Sequence, residues 1–143
     1  MAVIETTGLH HIRITVSDLA RSRAFYEDVL GFEVVAQSPG DPSDPAVRAD
    51  PAQLFGGVLY RSNGIVFGLR PVAPPEEVFD PDRPGLDHLS FGVASRDVLV
   101  AAAAALQDRG ITHGEVTDLH RTGIAILSFS DPDGIQLELS APL

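Results

Sequence analysis

The sequence predicts an α+β fold of two βαβββ modules, on three observations. A His-bearing strand pattern occurs twice, each copy is followed by a helix with start and stop signals, and each half closes on a tight turn that opens its last strand. The repeated pattern is Leu9-His10-His11-Ile12-Arg13-Ile14-Thr15-Val16 and Leu86-Asp87-His88-Leu89-Ser90-Phe91-Gly92-Val93. Both copies read Leu-x-His followed by apolar residues at alternate positions, the period of a strand with one apolar face. Ile12, Ile14 and Val16 share that face in the first copy, with His11, Arg13 and Thr15 opposite. In the second copy Leu89, Phe91 and Val93 are apolar, with His88, Ser90 and Gly92 opposite. By the same alternation His10 points away from His11.

The first helix can be capped by Ser17 or Asp18, pairs Phe25 with Val29 and Tyr26 with Leu30 at four-residue spacing, and ends at Gly31. Phe25 and Tyr26 are read as core. The second helix starts at Ser95 or Asp97 and runs through Ala101 to Ala105 and on to Gly110. Alanine is the best helix former and lets a helix sit close to a sheet. Strands resume at 32–35 and 111–113, then at 58–60 and 124–127. Ser62-Asn63-Gly64 and Asp131-Pro132-Asp133-Gly134 are turn signals that open strands at 65–69 and 135–139. The modules therefore occupy 1–70 and 86–143. Between them, residues 71–85 carry Pro71, Pro74, Pro75, Pro81 and Pro84, which predicts an irregular linker. A similar stretch, Ser38 to Gln53, interrupts the first module and is read as an irregular surface insertion rather than a substrate lid.

Composition narrows the partners. The chain has 143 residues, 44% of them hydrophobic, enough for a sizeable core. Ten Lys and Arg against twenty Asp and Glu give a net charge of −10, which opposes a nucleic-acid backbone or an anionic membrane surface. There is no cysteine, so disulfides, thiolate ligation and Cys nucleophiles are excluded. No apolar run approaches a membrane span and no secretory signal is evident, so a cytoplasmic location is expected.

The polar faces of the strands carry the candidate chemistry. If helices cover the apolar faces, the polar faces line a concave sheet and bring together His11, His88 and Glu138, the last flanked by Gln136 and Ser140 at two-residue spacing. Two imidazoles and a carboxylate can hold one face of a divalent ion and leave positions open for substrate. Taken singly, a structural role explains each His and a solvated one explains Glu138; the equivalence of the two His residues in a repeat favours a site. Arg13 shares the face of His11, where its planar guanidinium suits a carboxylate or enolate-like oxygen. An internal salt bridge at the sheet edge explains it equally well. Gln136 and Ser90 are candidate hydrogen-bonding groups behind the ligands. His120, in a loop before Gly123, is a candidate general base, as imidazole titrates near neutrality. His113, at a predicted strand start, is a weaker one.

Two stretches, His11 to Asp18 with Arg21 to Phe32, and Ser128 to Leu139, resemble the vicinal oxygen chelate superfamily, also called glyoxalase/bleomycin resistance/dioxygenase. The resemblance covers nearly the whole chain. It implies paired βαβββ modules forming a curved mixed sheet around a metal-binding cavity, with ligands on first and last strands that fall on His11, His88 and Glu138. A fourth ligand position falls on Gly68, which has no side chain to donate. That is unlike the four-ligand glyoxalase and methylmalonyl-CoA epimerase patterns and more similar to the three-ligand extradiol dioxygenases and fosfomycin-resistance enzymes. Extradiol dioxygenases are commonly longer, and Arg13 stands where the fosfomycin enzymes usually have Thr, so neither activity transfers cleanly. The resemblance implies one divalent ion per site (Fe, Mn, Zn, Co or Ni) and an enzyme acting on a small oxygen-rich metabolite by lyase, isomerase or dioxygenase chemistry. The alternative is a metal-free, bleomycin-resistance-like protein that binds a small molecule or drug. It also implies a homodimer, in some relatives with sites shared between subunits.

Overall fold

The computed structural model describes residues 2–143, and the chain divides into two compact units, one ending at Glu77 and one beginning at Val78. The fold is α+β, and each unit carries a four-stranded mixed sheet. In the first unit the order along the chain is β1 (His11–Thr15), α1 (Leu19–Asp28), β2 (Glu33–Gln37), α2 (Pro45–Ala49), a 3-10 segment (Pro51–Gly56), β3 (Val58–Ser62) and β4 (Ile65–Arg70). The strands lie in the order β1-β4-β3-β2, with β1 parallel to β4 and the other pairs antiparallel. Asp18 caps α1 by accepting from Arg21 N at 2.9 Å, and Gly31, at φ +68°, supplies the left-handed conformation that turns the chain. The apolar alternation becomes burial as expected. Ile14, Val16, Phe67 and Leu69 are buried together with Phe25 and Tyr26 from α1. The rings of Tyr26 and Phe32 both pack on Phe67, with centroids 5.2 and 5.5 Å away. Between β3 and β4 the turn has Asn63 at φ +46° and Gly64 at φ +88°. Two central residues with positive φ suit the right-handed twist of a hairpin, as the Asn-Gly signal implies.

The second unit repeats the plan with β5 (Leu89–Gly92), α3 (Arg96–Asp108), β6 (Thr117–Leu119), β7 (Ile124–Ser130) and β8 (Gln136–Pro142), in the order β5-β8-β7-β6. β5 runs parallel to β8, and the remaining pairs are antiparallel. α3 lies against β7 and β8 and buries Leu99 and Leu106. Ser95 stands at its N-cap without a side-chain cap bond.

Two expectations are corrected. Residues 111–113 form no strand: His113 makes one isolated bridge to Phe129, and the pairing strand is β6, six residues later. The turn decides this, because Thr122 N and Gly123 N both bond Leu119 O at 3.0 Å and so place Thr117–Leu119 opposite β7. The Ser38 to Gln53 stretch is likewise not irregular. Asp44 and Asp50 each accept from the N–H two residues on, at 2.8 Å, and the following Pro45 and Pro51 open α2 and the 3-10 segment. Proline suits the first helical position because its missing N–H has no partner there anyway. Among the described residues no helix is long and apolar enough to cross a membrane.

Candidate functional site

In the second unit the parallel register sets Ser90 beside Glu138 and Gly92 beside Ser140. His88, immediately before β5, projects to the same side, and its Nε2 lies 3.9 Å from Glu138 Oε1. Glu138 is 15% exposed and held from behind: Ser140 Oγ donates to its Oε1 at 3.1 Å, and Ser90 Oγ contacts Ser140 Oγ at 2.5 Å. His88 is held from its other nitrogen by the Asp87 carboxylate, which engages Nδ1. That hydrogen bond raises the His88 pKa, partly opposed by burial and helped by the Glu138 charge. It also fixes the tautomer, leaving the Nε2 lone pair facing Glu138 in the neutral ring. Asp87, His88, Gln136 and Glu138 line a cleft of about 340 Å³ with Pro81 and Asp82.

Among the described residues no group of three or more His, Cys, Asp or Glu side chains is placed to hold a metal ion. His88 and Glu138 are two groups of the right chemistry, and their 3.9 Å separation would have to close to about 3–3.5 Å, the distance that metal bonds of about 2.0–2.2 Å impose on N and O. Other predicted residues are used differently. The Gln136 amide is spent on Ser130 Oγ and Gly134 O, both at 3.2 Å, and so braces the β7–β8 turn. The His113 ring contacts Gly114 O and Gln107 Oε1, a structural role. His120 sits in the turn after β6, beyond the end of β7 remote from Ser128, the partner of Glu138. At about 3.3 Å per residue, that places it more than about 13 Å along the sheet from Glu138, so it is not brought to His88.

In the first unit His11 opens β1 on its polar side, opposite Val66. His10 does not point away from it. It precedes the strand, where alternation has no hold, and the two Nδ1 atoms lie 2.9 Å apart with the rings edge to face. Each Leu-x-His copy therefore uses its x residue, His10 or Asp87, to engage Nδ1 of the His that follows. Arg13 lies opposite Gly68, its Nε buried without a hydrogen-bond partner and its guanidinium 5.3 Å from the centre of the Phe55 ring. No acidic side chain forms an ion pair with it among the described residues. Arg70 stacks on the same ring at 4.1 Å, and its Nε is also buried without a partner. Each such N–H costs about 1–3 kcal/mol, against a cation–π return of about 0.5–2 kcal/mol. Phe55 reaches them from a strained backbone, with Leu54 at φ +53° and Phe55 at φ +57°.

Residues 8–139 match the family model of the Glyoxalase/Bleomycin resistance protein/Dioxygenase superfamily. The chain belongs to this superfamily. Its relatives include YaeR of Escherichia coli (strain K12), 34% identical over 131 residues (92% of this chain, 93% of the relative), and YwkD of Bacillus subtilis (strain 168), 30% identical over 132 residues (92% and 94%). Among solved structures it is similar to a glyoxylase/bleomycin resistance protein/dioxygenase domain from Frankia sp. EAN1pec, with TM-score 0.74 and 27% identity over 97% of this chain and 94% of that one. In this member of the superfamily a Cβ at Gly68 would stand 2.8 Å from Leu59 Cδ2 and 3.1 Å from Arg13 Nε, so a side chain there would push both aside. The sequence reading missed Asp87, Phe55 and Arg70. Asp87 was signalled by its place beside a repeated His; Arg70 and Phe55 carried no local signal, because only the folded insertion brings the ring to the sheet.

Proposed function

We propose that this protein is a divalent-metal-dependent enzyme acting on a small molecule with two neighbouring oxygens, with His11, His88 and Glu138 as ligands. The observation that carries the reading is the His88–Glu138 pair, aimed at each other with both outer ends already braced. Bound there, a divalent cation would supply Lewis acidity toward the substrate oxygens, the starting point for lyase, isomerase or dioxygenase chemistry. The chain's own residues prepare that step. Asp87 keeps the His88 proton on Nδ1, and Ser140 with Ser90 supports the Glu138 carboxylate, so only a small closing rotation is left to the metal. His10 Nδ1 lies 2.9 Å from His11 Nδ1, and in the tautomer in which His10 accepts, the His11 proton is held on Nδ1 as Asp87 holds that of His88.

Metal analysis of protein purified without a chelating tag tests this. About one equivalent of a transition metal, lost in His88→Ala while the variant stays folded, supports it. No metal retained at any supplied concentration overturns it in favour of metal-free binding of a small molecule. The reading extends to a homodimer in which His11 of one subunit joins His88 and Glu138 of the other. Mixing His11→Ala with His88→Ala chains then restores one intact site per mixed dimer, whereas unshared sites restore none.

A further inference from the structure

The geometry points to a binding site for an organic carboxylate in the first unit, formed by Arg13 and Arg70 beneath the Phe55 ring. It rests on residues of that unit alone and stands whether or not a metal binds elsewhere.

Three observations converge. The first is unspent hydrogen-bonding capacity. β1 and β4 are adjacent parallel strands, and Arg13 and Arg70 rise from the same sheet face, Arg13 opposite Gly68 and Arg70 two residues further along β4. Both bury Nε without a partner. The chain has twenty carboxylates and a net charge of −10; Arg23, Arg83 and Arg96 form ion pairs, and Arg13 and Arg70 are set apart among the described arginines by burying Nε unpartnered. Two like charges left side by side while acids are plentiful are arranged for an anion from outside.

The second is construction. Consecutive left-handed residues are costly for side chains other than glycine, and here Leu54 and Phe55 both adopt them, which delivers one ring to two guanidinium planes. The ring thereby brings both guanidinium carbons close to one centre, at 5.3 and 4.1 Å. The third is clearance. Gly68 leaves the space that Arg13 occupies, since a Cβ would meet Arg13 Nε at 3.1 Å.

The choice of a carboxylate follows from the surroundings. A guanidinium fork matches two coplanar oxygens, and Phe55 and Leu59 offer apolar walls to a carbon body that inorganic phosphate lacks.

The test uses full-length protein treated with EDTA and dialysed, so that no metal competes. Arginine Nε–H resonances are followed by NMR while malonate, phosphate or methylammonium is added. Saturable malonate shifts at two Nε–H signals, absent with methylammonium and weakened about tenfold or more in Arg13→Gln and in Arg70→Gln, support the site. Phosphate binding as well as malonate overturns the carboxylate assignment, and no saturable malonate shift in the unaltered protein overturns the site. Because that last reading is made on the unaltered chain, it holds even if a variant fails to fold. Metal content measured on the same preparation before EDTA treatment keeps this result separate from the metal reading.

Discussion

Replacing Asp131 by alanine removes one acceptor from two backbone donors at once. Its Oδ1 accepts from Asp133 N at 2.9 Å and from Ile135 N at 2.8 Å, and the residue is only 5% exposed, so water cannot take over either bond. Hydrogen bonds to a charged group contribute about 1.5–3 kcal/mol each, so Asp131→Ala should cost roughly 3–5 kcal/mol. That is a large share of the roughly 5–15 kcal/mol that holds a domain together. Asp131→Asn keeps an oxygen in place and loses only the charge, so its cost should stay near about 1–2 kcal/mol. Urea unfolding followed by circular dichroism measures both, as a fall in midpoint without a change in slope. The turn also sets where β8 begins, and hence the register Ser128 to Glu138. The alanine variant should therefore bind metal more weakly even when folded. An alanine variant within about 0.5 kcal/mol of the unaltered protein would refute the reasoning.

Other outcomes follow from the same contacts. Glu27 accepts from Arg23 Nε at 2.7 Å and from the buried Tyr60 hydroxyl at 2.9 Å. Its pKa is lowered, chiefly by the Arg23 hydrogen bond, while burial and the Glu27 bond push Tyr60 up. A depressed carboxylate contributes stability above its unfolded pKa and loses it as pH falls through the folded value. Glu27→Ala should thus cost about 1–2 kcal/mol near neutrality, with the gap narrowing below the ordinary Glu range; a gap constant down to pH ~3 would contradict this. Asp87→Ala should weaken metal affinity about tenfold, the low end of such effects because Asp87 is 78% exposed, as read by competition with a chelator. Gly68→Ala should cost about 1 kcal/mol by crowding Leu59 and Arg13 and should weaken malonate binding in the EDTA-treated protein.

The fold was legible where one local rule sufficed. Period-two alternation located β1 and β5 because each has one face more covered than the other, with Ile14 buried in β1 and Leu89 and Phe91 half-buried in β5, and Asn63-Gly64 fixed the β3–β4 hairpin through its positive φ values. Asp131-Pro132 was read as a turn, whereas Asp41-Pro42, Asp44-Pro45 and Asp50-Pro51 were read only as parts of an irregular stretch. At Asp41, Asp44, Asp50, Asp80 and Asp131 the carboxylate accepts from the N–H two residues on, so each begins a turn or short helix instead of ending order. For the candidate site, His88 and Glu138 were singled out from the repeat and the last strand, and the parallel register of β5 and β8 brings His88 Nε2 to 3.9 Å from Glu138 Oε1. The orphaned Arg13 and Arg70 and the ring across them depend on a long-range approach of the insertion to the sheet, for which no spacing in the chain is a signature.

The metal reading is tested most directly by anomalous diffraction from crystals loaded with zinc. The account predicts one strong peak with nitrogen of His11, nitrogen of His88 and a carboxylate oxygen of Glu138 within about 2.0–2.3 Å, whether drawn from one subunit or two. A peak held by other side chains, with His88 and Glu138 left unligated, would contradict it.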